Sequence, residues 1–197
     1  MRFPFTLQIL TTRCRLRCVS EADIPHVWSA TRHAGFNDGM TWNPPANMDE
    51  LRQPLQRNLE AWRADRDYTF TIESKSNSMF LGRIVIRQTT DPAVWNIGFW
   101  THPDHQNQGY MTEAARAMVD FGFQELGAVR IEAAHALWNI RSERVLKKLG
   151  MKFVRHIPQG FMKNGQWVEE NALALERAQW EASRPIAPSG SPGLEVG

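Results

Sequence analysis

The sequence predicts one α/β domain around a mixed, mostly antiparallel central sheet, and three observations carry that prediction. Strand-like and helical segments alternate along the chain. Residues 68–73, 80–89 and 94–101 follow one another as strands with no helix between them, which makes an antiparallel meander. Two β–α units and a closing hairpin come after it.

Taken in order, residues 13–19 (RCRLRCV) alternate and form the first strand, and Ser20 stands in the N-cap position of a helix running to about residue 33. Gly35, Gly39, Pro44 and Pro45 make 35–47 a loop, yet Phe36, Met40 and Trp42 are too apolar for a mere connector. Leu51, Leu55, Leu59 and Trp62 recur at spacings of three and four, so 49–64 is helical. Within the meander, Asp91-Pro92 turns the chain between the second and third strands. A helix over 109–126 closes at Gly127, a strand covers 129–135, and a helix over 140–149 closes at Gly150. Strands 152–161 and 166–176 pair as a hairpin through Lys163-Asn164-Gly165, where Asn-Gly supplies the positive φ of a tight turn. Residues 1–12 form an N-terminal extension, 13–182 the domain, and 183–197, rich in Pro, Gly and Ser, a disordered tail.

At 42% hydrophobic, 197 residues suffice for one core and hardly for two. With 23 basic and 21 acidic residues the net charge is +2, which excludes a strongly basic nucleic-acid or membrane-surface protein. Arg13, Arg15 and Arg17 alternate on one strand without the interleaved aromatics of a nucleic-acid platform. No apolar run approaches the roughly 20 residues of a membrane span, and the start lacks a leader pattern, so a cytoplasmic protein is expected. Cys14 and Cys18 lie about 13 Å apart along a strand, too far to bridge, and free thiols fit a reducing compartment.

The chemistry concentrates in residues 96–114, NIGFWTHPDHQNQGYMTEA. Gly109 has no Cβ, so an anion can approach the backbone, and the amides from Asn107 to Thr112 point out of a helix start. A diphosphate suits such a place, with roughly 0.3–1 kcal/mol from the helix dipole added to directed hydrogen bonds. On the residues alone, an ordinary strand-to-helix turn remains the alternative.

Gln106-x-x-Gly109-x-Met111 resembles the Gln/Arg-x-x-Gly-x-Gly/Ala signature of the GNAT superfamily of acetyl-CoA-dependent N-acetyltransferases, with Met111 in place of the usual small residue. Ile97-Gly98-Phe99-Trp100, the run Gly109 to Ala114, Asn139 to Gly150, and Thr12-Arg13-Cys14-Arg15-Leu16-Arg17 resemble the ribosomal-protein alanine N-acetyltransferase (RimJ/RimL) branch. The resemblance spans about residues 11–180. It implies the GNAT fold: central strands that splay apart, helices on both faces, and acetyl-CoA in the gap. Phe99, Trp100 and Thr101 would bond the pantetheine arm through their backbone. Gln106, Asn107, Gln108, Gly109, Tyr110, Met111 and Thr112 would hold the diphosphate. Asn139 would bond the pantetheine arm and Ser142 would protonate or position the departing thiolate. On bare sequence the last pair also reads as plain helix capping. Arg144 and Lys147 fit either the adenosine phosphate or a solvated helix face.

Relatives in this branch commonly carry glutamate as general base where Asn96 stands, and an amide cannot accept a proton at neutral pH. Glu73, His102, Asp104 and His135 are the candidate replacements, and none stands out. The other option is that no base is needed. An α-amine with a pKa of about 7.7–8.0 is roughly a tenth neutral at pH 7, whereas a lysine with a pKa of about 10.4 is neutral below about 0.1%. The expected acceptor is therefore a protein or peptide N-terminal α-amine, or another weakly basic amine, with Asn96 orienting the amine or a water. Acetyl would pass directly, without a covalent enzyme intermediate. Two rivals are a non-catalytic acyl-CoA-binding sensor and an N-acetyltransferase for a polyamine, amino acid or antibiotic. His102 and His105 form a tempting metal pair, but no carboxylate or cysteine constellation is seen to complete it, so no metal is expected. The acceptor side is expected from 36–45, the helix from 49 and the hairpin around 161–167. Eight tryptophans allow for a pocket or a dimer face, and a homodimer is common in the branch.

Overall fold

The computed structural model describes residues 1–184, so the expected tail lies outside the described residues but for Ser183 and Arg184. Eight strands make one sheet: β1 (Gln8–Leu10), β2 (Cys14–Cys18), β3 (Asp67–Ser74), β4 (Phe80–Gln88), β5 (Val94–Thr101), β6 (Arg130–Ala136), β7 (Lys152–Lys163) and β8 (Gln166–Glu176). Their spatial order is β1-β2-β3-β4-β5-β6-β8-β7. Every pairing is antiparallel except that of β5 with β6. The helices are α1 (Ile24–Thr31), α2 (Arg52–Arg63), α3 (Tyr110–Gln124), α4 (Ile140–Lys148) and α5 (Arg177–Ser183). Among the described residues no helix is long and apolar enough to cross a membrane.

Strand alternation gives the sheet two unlike faces. On one, Tyr68 and Phe70 of β3 take the ring of Trp62 from α2 at 5.1 and 4.9 Å and that of Phe121 from α3 at 6.0 and 5.9 Å. Edge-on aromatic packing of this kind adds about 0.5–1.5 kcal/mol per pair to the burial itself. Met111, Ala115, Met118 and Phe121 are all buried here, as their helical spacing predicts.

The other face carries charge. Asp23, at the end of the turn before α1, is 1% exposed and accepts hydrogen bonds from Arg17 Nη2 at 2.6 Å, Thr71 Oγ1 at 2.6 Å and the Ser20 amide at 2.9 Å. Arg17 also meets Glu73 at 2.7 Å, and Arg15 meets Glu73 at 2.6 Å. Arg83 lies 3.8 Å from Asp23, and burial brings its guanidinium pKa down to about 10. Burial alone would raise the Asp23 carboxyl, but the bonds from Arg17, Thr71 and Ser20 outweigh it and hold it low. Arg15 and Arg17 are thus spent on internal ion pairs.

Two elements went unforeseen. The N-terminal extension contains β1, which pairs Ile9 with Leu16, and it sends Phe3 and Leu7 into the core. Beyond β8, α5 stacks Trp180 on Phe123 at 5.0 Å and donates Trp180 Nε1 to Asp120 at 2.7 Å. Cys14 and Cys18 are free and buried, and burial raises both thiol pKa values to about 11.

The feature that positions the site is a divergence. β5 and β6 pair only at Val94 with Arg130, Trp95 with Ile131, and Asn96 with Glu132, and beyond these rungs they part.

Candidate active site

Where β5 and β6 part, backbone groups are left over. His102 donates its amide to Leu81 of β4 at 2.9 Å, so by the two-residue alternation of a strand the amides of Trp100 and Gly98 also face β4. Those of Phe99 and Thr101 face the gap. β4 lies so close that a Cβ on Gly82 would stand 2.2 Å from the Trp100 carbonyl oxygen, and only glycine fits.

The gap opens into a cleft of ≈ 620 Å³. One wall is the loop from His105 to Gly109 and the first turn of α3. Gly109 is the N-cap in left-handed conformation, φ +80°, and offers no side-chain cap. Asn107 is left-handed too, at φ +62°. None of the backbone amides from Asn107 to Thr112 finds an acceptor among the described residues. Six consecutive free donors at the positive end of a 15-residue helix form a nest for a polyanion.

This nest is held from behind by the turn between β1 and β2. Arg13 donates Nη1 to the Gln108 carbonyl at 3.1 Å and Nε to Glu113 at 2.7 Å, and its guanidinium lies 4.6 Å over the Tyr110 ring. Glu113 also accepts from the Arg13 amide and from Thr11 Oγ1, each at 2.6 Å. Although burial opposes it, these bonds keep the Glu113 carboxyl below its ordinary range. Glu113 therefore clamps the loop, a role that its place in the first turn of a helix did not disclose. Gln106 lines the cleft, but its amide bonds Pro103 at 3.4 Å and its side chain spans Thr101 (3.5 Å) and Arg141 (2.6 Å). It braces the loop, and its backbone amide is not a free donor there.

The second wall is the start of α4. Asn139 Oδ1 accepts the Ser142 amide at 3.1 Å, so the capping role is real, and Nδ2 stays available as a donor. Asn139, Ser142 and Arg144 all line the cleft together with Phe99, Trp100 and Thr101. Lys147 does not: it pairs with Glu143 at 2.6 Å, and Lys148 lines the cleft instead.

Across the cleft, Phe36 sets its ring edge-on to Trp100 at 5.2 Å, and Gly39 and Met40 follow it along the wall. Lys163 of β7 donates to the carbonyls of Met40 and Trp42 at 3.1 and 2.9 Å, so the loop and the hairpin meet, although neither the hairpin nor the helix from 49 is in the cleft lining.

Asn96 and the four candidate bases lie elsewhere. Asn96 occupies the last paired rung, at the closed vertex, outside the cleft lining. Glu73 is consumed by Arg15 and Arg17. His135 is buried against a separate, smaller cavity beneath α4. His102 and Asp104 stand behind the loop, also outside the lining. Glu132, opposite Asn96, was missed in the sequence; it accepts from Arg130 at 2.8 Å. Among the described residues no aspartate or glutamate lines the cleft.

A splayed parallel pair with a nest of helix-start amides on one side and a capped helix on the other makes a cleft suited to a ligand carrying a diphosphate. Residues 13–152 match the acetyltransferase (GNAT) domain, and the chain belongs to that family. It is similar to the uncharacterized protein YkkB of Bacillus subtilis, 31% identical over 155 residues, which cover 76% of this chain and 88% of that one. It is also similar to the uncharacterized N-acetyltransferase YnaD of the same organism, 30% identical over 118 residues, 60% of this chain and 69% of that one. Among solved structures the fold matches RimL, a ribosomal L7/L12 alpha-N-protein acetyltransferase in complex with coenzyme A. The TM-score is 0.79 at 18% identity, over 87% of this chain and 99% of that one. The protein is a GNAT-type N-acetyltransferase, which sets aside the non-catalytic sensor.

Proposed function

We propose that the enzyme transfers acetyl from acetyl-CoA to an α-amine, and that its acceptor is the N-terminus of a protein or peptide. The observation that carries this reading is a cleft without a carboxylate. Its charged lining is Arg141, Arg144 and Lys148, with His105 nearby. No carboxylate there relieves a strongly basic ammonium of its proton, His105 being the one imidazole in the lining, and the cationic wall repels a polyamine. An α-amine arrives partly neutral. The likeness in fold to RimL, named for α-amine acetylation of a protein, supports the same choice.

Acetyl-CoA supplies the activated thioester. The amides of Asn107 to Thr112 hold the diphosphate, and the amide of Phe99 or Thr101 in the splay donates to the carbonyl oxygen. A fixed donor of that kind can be worth about 3 kcal/mol as the oxygen gains charge. The aromatic wall of Phe36 and Trp100 confines the amine beside it, where proximity contributes several kcal/mol more. The amine nitrogen forms its bond to the carbonyl carbon and the C–S bond breaks. Ser142 delivers a proton to the departing sulfur, and the proton shed by the amine replaces it through water. For a neutral amine the protons balance without a carboxylate base.

Two outcomes are expected. At pH 7, a peptide with a free N-terminus should be acetylated at least tenfold faster than one whose only amine is lysine, as measured by thiol release; a faster lysine peptide would overturn the assignment. Ser142→Ala and Asn139→Ala should each lower kcat at least tenfold, and near-normal turnover in both would remove them from the mechanism.

A further inference from the structure

Behind the diphosphate loop, on the side away from the cleft lining, the fold assembles a group that the sequence does not place together. His33, in the turn after α1, comes to the turn that carries His102 and Asp104, and the three offer ligand atoms all within 4.8 Å of one another. His33 Nε2 lies 3.8 Å from Asp104 Oδ1, and His102 Nδ1 lies 3.6 Å from Asp104 Oδ2. Ligands of a tetrahedral zinc ion, bonded at about 2.0–2.1 Å, stand about 3.3 Å apart. The two gaps, which run to different carboxylate oxygens, exceed that by about half an ångström or less, the two imidazoles lie within 4.8 Å of each other, and the Asp104 side chain, 61% exposed, is free to turn to present one oxygen to both.

The orientation of His102 is the stronger sign. Its ring is 6% exposed and wedged against α1, with Nε2 at 3.3 Å from Ser29 Oγ. With that nitrogen donating to Ser29, Nδ1 carries the lone pair and points to the Asp104 carboxylate. Only a long contact of 3.4 Å from the Asp104 amide engages it. A metal-binding histidine is fixed in the same manner, its second nitrogen held by a protein oxygen. Two imidazoles and one carboxylate suit a divalent cation of the zinc kind better than calcium or magnesium. The ring of His105 stands 5.5 Å from that of His102, and a fourth position is left to it or to water.

We propose that His33, His102 and Asp104 form a binding site for a divalent transition cation such as zinc. Bound there, the cation clips the end of α1 to the turn leading into the diphosphate loop, outside the catalytic cleft. The site is separate from acetyl transfer and is read without it. Untagged, chelator-treated protein should take up one equivalent of Zn2+ with a Kd well below 100 µM by calorimetry, near −5.5 kcal/mol or tighter. Co2+ in its place should give the visible absorption of a four- or five-coordinate ion. His33→Ala and Asp104→Asn, both at exposed or half-exposed side chains, should each weaken uptake at least tenfold while leaving the far-UV spectrum unchanged. Absence of saturable one-to-one uptake, or affinity in both variants equal to that of the parent, would overturn the site.

Discussion

Replacing Gly109 by valine is expected to weaken acetyl-CoA binding at least a hundredfold, which corresponds to about 2.7 kcal/mol. Two effects add. At φ +80° a β-branched residue carries roughly 1–3 kcal/mol of backbone strain, relieved only by turning the neighbouring amides out of line. Its Cβ would also stand 3.3 Å from Arg13 Nη2, against the clamp that keeps the loop in place. Alanine, with less bulk, should show the smaller part of the loss. Calorimetry with acetyl-CoA on folded variants decides it: affinity within threefold of the parent for valine would mean that the nest is not where the donor is held.

Asp23→Ala should cost about 3–5 kcal/mol of stability, a loss of roughly 10 °C in Tm. Removing this carboxylate strips Arg17 and Thr71 of a 2.6 Å partner each and leaves the buried Arg83 without its counter-charge. The cost is that of an orphaned buried cation, so Arg83→Met added to Asp23→Ala should restore part of the loss. A double variant no more stable than the single one would contradict this account. The pH dependence has a definite sign. Because the folded carboxyl is held below its ordinary value, its contribution is complete above about pH 4 and disappears as pH falls through the lower folded value. Urea midpoints of the variant should therefore vary less with pH in that acidic range than those of the parent.

How far the fold could be read from sequence follows from how locally each element is determined. The meander, the two glycine-closed helices and the Asn-Gly hairpin depend on periodicity and turn chemistry within a few residues, and all are present. β1 is three residues long and exists because β2 pairs with it, and no local pattern announces that. α5 starts straight from the end of β8, and its one informative side chain, Trp180, is explained only by Phe123 far away in sequence. The site divides in the same way. Gly109, the free amides and the Asn139 cap are properties of one loop or one helix start, so sequence sufficed. The ion pairs that consume Glu73, the tie of Gln106 to Arg141 and the approach of His33 to His102 join segments tens of residues apart. Charge type was visible there, but partnership was not. For the same reason Asn96 looked like part of the reactive centre, whereas the register puts it at the vertex.

The clamp of Arg13 and Glu113 on the diphosphate loop has a thermodynamic consequence. A free loop would lose conformational freedom on meeting its ligand, at roughly 1–2 kcal/mol per residue fixed, and affinity would fall accordingly. Here Arg13, in the turn between β1 and β2, immobilises the loop as the chain folds, through contacts about a hundred residues apart in sequence. The entropy is surrendered in folding, and donor binding proceeds as a docking of rigid parts.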